Sequence, residues 1–167
     1  MLREKLQHKR IILASGSPRR QQFFRELDID FTIQIKEVEE IYPNNLQATA
    51  ITEFLAELKA KAFETLEENE ILITSDTIVW HENKALGKPK DAQDAFQMLQ
   101  SLSGKTHEVI TSVCFKTKNT LETITETTKV TFKSLADEAI RYYIDTYQPF
   151  DKAGSYGIQE WIGLVGI

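Results

Sequence analysis

The chain has 167 residues, 41% of them hydrophobic, which suffices for one well-buried core and is too short for two full-sized domains. Its formal charge of −5 argues against a broad electrostatic grip on nucleic acid or an anionic membrane, so we expect neither as a partner. A single cysteine, Cys114 in the apolar run "VCF", excludes an internal disulfide and a thiolate zinc cluster and reads as a small core residue.

The basic N-terminus "MLREKLQHKR" lacks the apolar segment of a signal peptide, and no stretch approaches the roughly 20 apolar residues that cross a bilayer. A soluble, cytoplasmic protein is expected. Residues 10–14 read as a first strand built on Ile11, Ile12 and Leu13. Ser17 is placed to cap a helix with Pro18 at its first position, and Phe23, Phe24 and Leu27 would form its apolar face. A short strand over 31–35 follows.

Residues 46–68 read as a long helix, with Ile51, Phe54, Leu55, Leu58 and Phe63 near one stripe. Residues 70–86 read as a buried strand, a polar interruption, a strand continuation and a turn at Glu82-Asn83. A helix then runs from Asp91 to a stop at Gly104. Two strands follow, joined near Lys118-Asn119, the second so rich in threonine that one face should meet water. Ser134 would open a helix, with Asp137 as its capping-box partner, and the last 20 residues look loop-like. Crossover and hairpin connections together predict an α/β fold with a mixed sheet flanked by helices.

Four places could carry chemistry. "SGSPRR" ends a strand and opens a helix, whose unpaired N–H groups and dipole favour an anion. Ser15, Gly16 and Ser17 leave the backbone accessible, and Arg19 or Arg20 could add a bidentate phosphate contact; two solvated arginines are the bland alternative. Asp76 breaks the apolar run "ILITSDTIVW". A buried carboxylate there is a structural hydrogen-bond acceptor, a metal ligand or a general base. Glu39 and Glu40 form either a solvated acidic loop or part of a magnesium site shared with Asp76. Lys59, Lys88 and Lys152 would individually read as surface residues. His8, His81 and His107 have no ligand spacing, and no Ser/His/Asp or Cys/His set supports acyl chemistry.

Together, "ILASGSPRR", "ITSDTIV", "GKPKDAQDAFQMLQSLSGKTHEVITSV" and "DKAGSYGIQ" resemble the Maf family of nucleoside triphosphate pyrophosphatases in order, spacing and identity from about residue 10 to 167. The resemblance implies a single elongated domain over 1–167, related to the inosine triphosphatase group and homodimeric. It implies cleavage between the α and β phosphates of a nucleoside triphosphate, giving monophosphate and pyrophosphate with Mg2+ or Mn2+. Carried over by position, Asp76, Lys59 and Lys88 are catalytic, and Asp76 with Glu40 holds the metal. Ser15, Arg19, Arg20, Thr77, Lys152 and Gln159 bind substrate. Thr77 and Gln159 resemble the subgroup acting on dTTP and UTP, with the 7-methyl-GTP subgroup as the alternative. A catalytically silent nucleotide-binding regulator linked to septum formation is the other. The chain stops at "GLVGI", where the family pattern usually continues, so the C-terminal end of that pattern is expected to be missing.

Overall fold

The computed structural model describes residues 2–167. In chain order the elements are α1 (Leu2–Leu6), β1 (Arg10–Leu13), α2 (Pro18–Glu26), β2 (Phe31–Ile33), α3 (Thr49–Lys61), β3 (Glu70–His81) and β4 (Lys84–Leu86). They continue with α4 (Ala92–Leu102), β5 (Thr106–Lys116), β6 (Leu121–Thr131), α5 (Asp137–Tyr147), two 3-10 turns (Pro149–Asp151 and Ala153–Ser155) and α6 (Trp161–Val165). The strands make one open sheet in the order β2-β1-β3-β5-β6, with β4 paired to β3. β1 runs parallel to β2 and β3, and β4 antiparallel to β3, so the sheet is mixed as expected. Among the described residues no helix is long and apolar enough to cross a membrane.

The chain divides into two compact units, Met1–Asp76 with Thr111–Thr125 and Thr77–Ile110 with Glu126–Ile167. In the first, the two-residue period of the strands sorts the core. Ile12 lies beside Leu72 in the register, and both pack with Ala56, Ala60, Phe63, Leu66 and Cys114. Ile11, Leu13 and Ile73 form the opposite layer with Leu6, Phe24 and Phe31. The sheet is thus covered by α3 on one face and by residues of α1 and α2 on the other. Ala56 and Ala60 are one turn apart and fully buried, which brings the α3 backbone close to the sheet.

α3 is shorter than its periodicity suggests. Lys36 Nζ donates to Ala62 O at 2.9 Å, and Lys116 Nζ donates to the carbonyls of Ala60 and Phe63, so the final carbonyls are satisfied by lysines. Phe63 and Leu66 then turn back into the core from irregular backbone. α2 departs from expectation too. It has no buried residue: Phe24 packs beneath it, but Phe23 and Leu27 are exposed.

In the second unit, α4, α5 and α6 supply Phe96, Leu99, Leu102, Ile140, Tyr143, Ile144 and Ile162 to a core shared with Val79, Val130 and Phe132. Asp91 caps α4, accepting the Asp94 N–H at 2.8 Å, and Gly104 follows its end at φ 69°. The Glu82-Asn83 turn has φ of 47° and 60°, the left-handed pair of a tight hairpin. β6 alternates half-buried and exposed positions over 121–126, as a strand with one wet face does. Ser134 does not cap α5, which begins at Asp137 after Ala136 without a side-chain cap. The final residues are more regular than their composition suggests, because Trp161 and Ile162 pack on the core and order α6.

Candidate active site

β1 stops at Leu13, whereas its neighbour β3 runs on to His81. Ser75 and Asp76 therefore lie beyond the C-terminal end of β1, alongside the loop that β1 feeds. In an open α/β sheet this is the edge where ligands gather. The expected polar interruption of β3 is absent: the strand is continuous through Thr74, Ser75 and Asp76. The reason is that Thr74 and Asp76 each have a partner. Thr74 Oγ1 donates to Ala56 O at 2.7 Å, and Asp76, two residues on along the same strand face, is met by Lys59 from α3.

Lys59 stands one turn after Ala56 and beside Ala60, so the close helix–sheet approach delivers its ammonium to the β3 surface. Nζ donates to Asp76 Oδ1 at 2.8 Å and contacts Glu40 Oε1 at 3.0 Å. Two carboxylates separated by 36 positions thus converge on one cation. Asp76 is buried, while Glu40 keeps 56% of its side chain exposed in the irregular segment before α3. The cluster is closed on its inner side and open on its outer side.

The arginine corner completes the first unit's set. Ser15 is buried and its Oγ accepts the Ser17 N–H at 3.2 Å, while Gln21 Nε2 donates to Ser15 O at 3.3 Å. Ser17 occupies the cap position before Pro18, but its side chain does not cap the helix. Arg20 Nη1 donates to Ser75 O at 3.1 Å, bringing α2 onto β3. Burial lowers the Arg20 pKa from its usual value, opposed by the charges of Asp76 and Glu40 and reinforced by that of Arg19. Arg20 is thus electrostatically linked to both carboxylates and to the neighbouring guanidinium. Ser15, Arg20, Glu40, Lys59 and Asp76 form one group, with Arg19 beside it on the first turn of α2.

The remaining sequence-derived candidates belong to the second unit. Thr77 is half-buried on β3, and Lys88 is exposed after β4. Gly154 N–H donates to Gly87 O at 3.0 Å, tying the segment before Lys88 to the turn after Lys152. Gly154 has φ 67°, and a side chain there would lie 2.6 Å from Val79 Cγ2, so only glycine fits. Lys152 is buried, and its Nζ pairs with Asp151 Oδ1 at 3.0 Å and Glu160 Oε1 at 3.1 Å. Gln159 is exposed at the adjoining turn. Glu160 escaped the sequence reading, since a glutamate beside exposed polar residues looks solvated. Its only signal was spacing, one position after a candidate base-reading amide.

Among the described residues no group of three or more His, Cys, Asp or Glu side chains stands together as a metal set. The pair that does converge, Glu40 and Asp76, fits a hard divalent cation that takes one or two protein carboxylates and completes its shell with phosphate oxygens and water.

The chain is similar to known proteins along nearly its whole length. The family described as Maf-like protein matches residues 10–167. The dTTP/UTP pyrophosphatase of Flavobacterium johnsoniae is 67% identical over 168 residues, covering 100% of this chain and 87% of that protein. The dTTP/UTP pyrophosphatase of Bacteroides fragilis is 50% identical, covering 97% of this chain and 85% of its own. The Staphylococcus aureus Ham1 protein shares the fold with a TM-score of 0.54 at 16% identity, over 77% of this chain and 73% of that one.

Proposed function

The chain belongs to the Maf family, and from that premise we propose that the cluster of Lys59, Asp76 and Glu40 is where it hydrolyses dTTP and UTP to the nucleoside monophosphate and pyrophosphate. It is a nucleoside triphosphate pyrophosphatase. The observation that carries the site is the convergence of two carboxylates on one lysine beside the arginine corner.

Phosphoanhydride hydrolysis is mostly positioning and charge neutralisation. Arg19 and Arg20, with the first turn of α2, grip phosphate oxygens, and Ser15 shapes the loop that presents them. Glu40 and Asp76 would hold the divalent metal that the family uses, magnesium or manganese, which supplies Lewis-acid neutralisation of the triphosphate when bound. Lys59 gathers both carboxylates, then stabilises charge on the departing pyrophosphate. Asp76 takes the proton of the attacking water as its oxygen bonds to the α-phosphorus and the bond to the bridging oxygen breaks.

In the second unit, Lys88 and Lys152 contact phosphate, and Thr77 and Gln159 read the base. Uracil and thymine present a carbonyl acceptor beside an N3–H donor. The Gln159 amide carries the complementary donor and acceptor. The same reading takes a homodimer in the cytoplasm as the working form.

Pyrophosphate release across a panel of nucleoside triphosphates with Mg2+ tests this. We expect dTTP and UTP well ahead of CTP, ATP and GTP. No release from any of them would overturn the activity. Faster hydrolysis of CTP or 7-methyl-GTP than of UTP would overturn the base preference and leave the pyrophosphatase standing.

A further inference from the structure

Residues 157–160 form a tight turn, in which the Glu160 N–H donates to Gly157 O at 3.0 Å. Gln159 occupies its third position with an exposed side chain, and Ile158 beside it is also half exposed. A turn presenting two exposed side chains ought to be loose, yet both of its ends are fastened to the same tyrosine. The Gly157 N–H donates to Tyr143 Oη at 3.0 Å, and Tyr143 Oη donates to Glu160 Oε2. Tyr143 is fully buried on α5 and stacks on Tyr147 with ring centroids 5.2 Å apart, so the anchor itself is rigid.

The other oxygen of Glu160 pairs with Lys152 at 3.1 Å, and Lys152 is held in turn by Asp151. One carboxylate therefore joins α5, the Lys152 segment and the 157–160 turn. The packing around it is tight. A Cβ on Gly157 would lie 3.0 Å from Glu160 Cδ and 3.2 Å from Lys152 Cε, so the turn backbone rests directly against this ion pair.

We propose that Glu160 is a positioning residue for substrate selection. Through Tyr143 and Lys152 it fixes the turn that carries Gln159, so that the amide meets the base edge in one orientation. This rests on the reading that Gln159 recognises the base. An amide on a loose turn can rotate and offer donor and acceptor in either order, which would accept cytosine about as well as uracil. The carboxylate need not touch the nucleotide; it removes the wrong orientation.

The test compares kcat/KM for UTP and CTP in the full chain and its variants, with folding followed by circular dichroism. Glu160→Ala should lower the UTP-to-CTP ratio about tenfold, the scale of discrimination lost when a base-reading amide can turn. Glu160→Gln, whose amide oxygen still accepts from Tyr143, should keep the ratio within about twofold of wild type. Tyr143→Phe removes both fastenings at once, conserves core volume, and should lower the ratio as Glu160→Ala does. A folded Glu160→Ala with an unchanged ratio overturns the proposal, and an unchanged ratio in Tyr143→Phe overturns it should Glu160→Ala not fold. Gln159→Ala separates the two levels. If it leaves the ratio intact, the base-reading assignment fails and takes this inference with it; if it erodes the ratio while Glu160→Ala does not, only the positioning role fails.

Discussion

Each unit holds a lysine between two carboxylates, and the two triads differ in one respect that decides their use. Lys59 meets Asp76 and Glu40 at 2.8 and 3.0 Å, and Lys152 meets Asp151 and Glu160 at 3.0 and 3.1 Å. The distances are nearly the same. The difference lies in what encloses them. Glu160 is half-buried and also bound to Tyr143, and the Lys152 side chain is only 9% exposed. Glu40 belongs to an irregular, exposed segment, and the Lys59 side chain is nearly twice as accessible, at 17%. Each triad has one exposed carboxylate, Glu40 at 56% and Asp151 at 57%, but the Lys152 triad is also tied to a buried tyrosine and so clamps a turn. The Lys59 triad lies beside the arginine corner, where Glu40 can leave the lysine to a phosphate or turn to a metal.

Breaking the open triad should have the largest effect. Asp76→Asn keeps the shape and removes the base and most of the metal-binding charge, so kcat for dTTP should fall by about two orders of magnitude or more in steady-state pyrophosphate release. Activity retained with ordinary metal dependence would assign Asp76 a structural role only. Next, Arg19→Ala should cost about 1.5–3 kcal/mol in kcat/KM, the scale of a lost charge-assisted contact, with the melting temperature nearly unchanged. Unchanged kinetics would mean that Arg19 is merely solvated.

The comparison sharpens when one lysine is removed at a time. Lys152→Met leaves the half-buried Glu160 without its cation, while the exposed Asp151 can turn to water, and should lower the unfolding free energy by about 2 kcal/mol in urea melts. Lys59→Met leaves the still more buried Asp76 without its cation and should cost at least as much, while activity collapses. A Lys59→Met loss well below that of Lys152→Met would show that buried Asp76 does not depend on its lysine for stability.

A further effect, spread over several pH units, concerns another buried group of the second unit. His107 is 2% exposed, its Nε2 shares a 2.7 Å hydrogen bond with Tyr156 Oη, and burial, then the nearby His81, lowers its pKa from 6.5 to about 4. The unfolded chain takes up a proton near pH 6.5 and the folded chain only near pH 4. Stability should therefore fall as pH drops from about 6.5 towards 4, by on the order of 1 kcal/mol per unit. Urea melts between pH 4.5 and 7 check this, and His107→Gln should flatten that part of the profile.

The parts of this molecule that were legible in the sequence are those whose causes are local. Strand β1 and the corner after it follow from a three-residue apolar run, small polar residues and a proline. The Asp91 cap, the Gly104 stop and the Glu82-Asn83 turn are likewise decided within a few positions. What escaped depends on partners far away in the chain. Nothing near Thr74 shows that Ala56 O will accept its hydroxyl, so the polar middle of β3 read as a break. Nothing near Phe23 or Leu27 shows that the sheet beneath α2 is already filled by Phe24 and Phe31. Asp76 and Glu40 were legible as candidates from their types, but their meeting on Lys59 is a product of the Ala56 and Ala60 contact. Glu160 was illegible because its partners come from α5 and the 3-10 segment.

Cys114, fully buried beneath α3 and the sole thiol of the chain, has a practical consequence. Burial raises its pKa, so little thiolate forms, and a reagent in solution can reach the sulfur only when the first unit opens. Labelling therefore counts openings of the layer between α3 and the sheet, one molecule at a time, with no competing site to subtract. The protein carries its own gauge of how often the first unit comes apart. A nucleotide that braces the arginine corner against β3 would be visible as a slower clock.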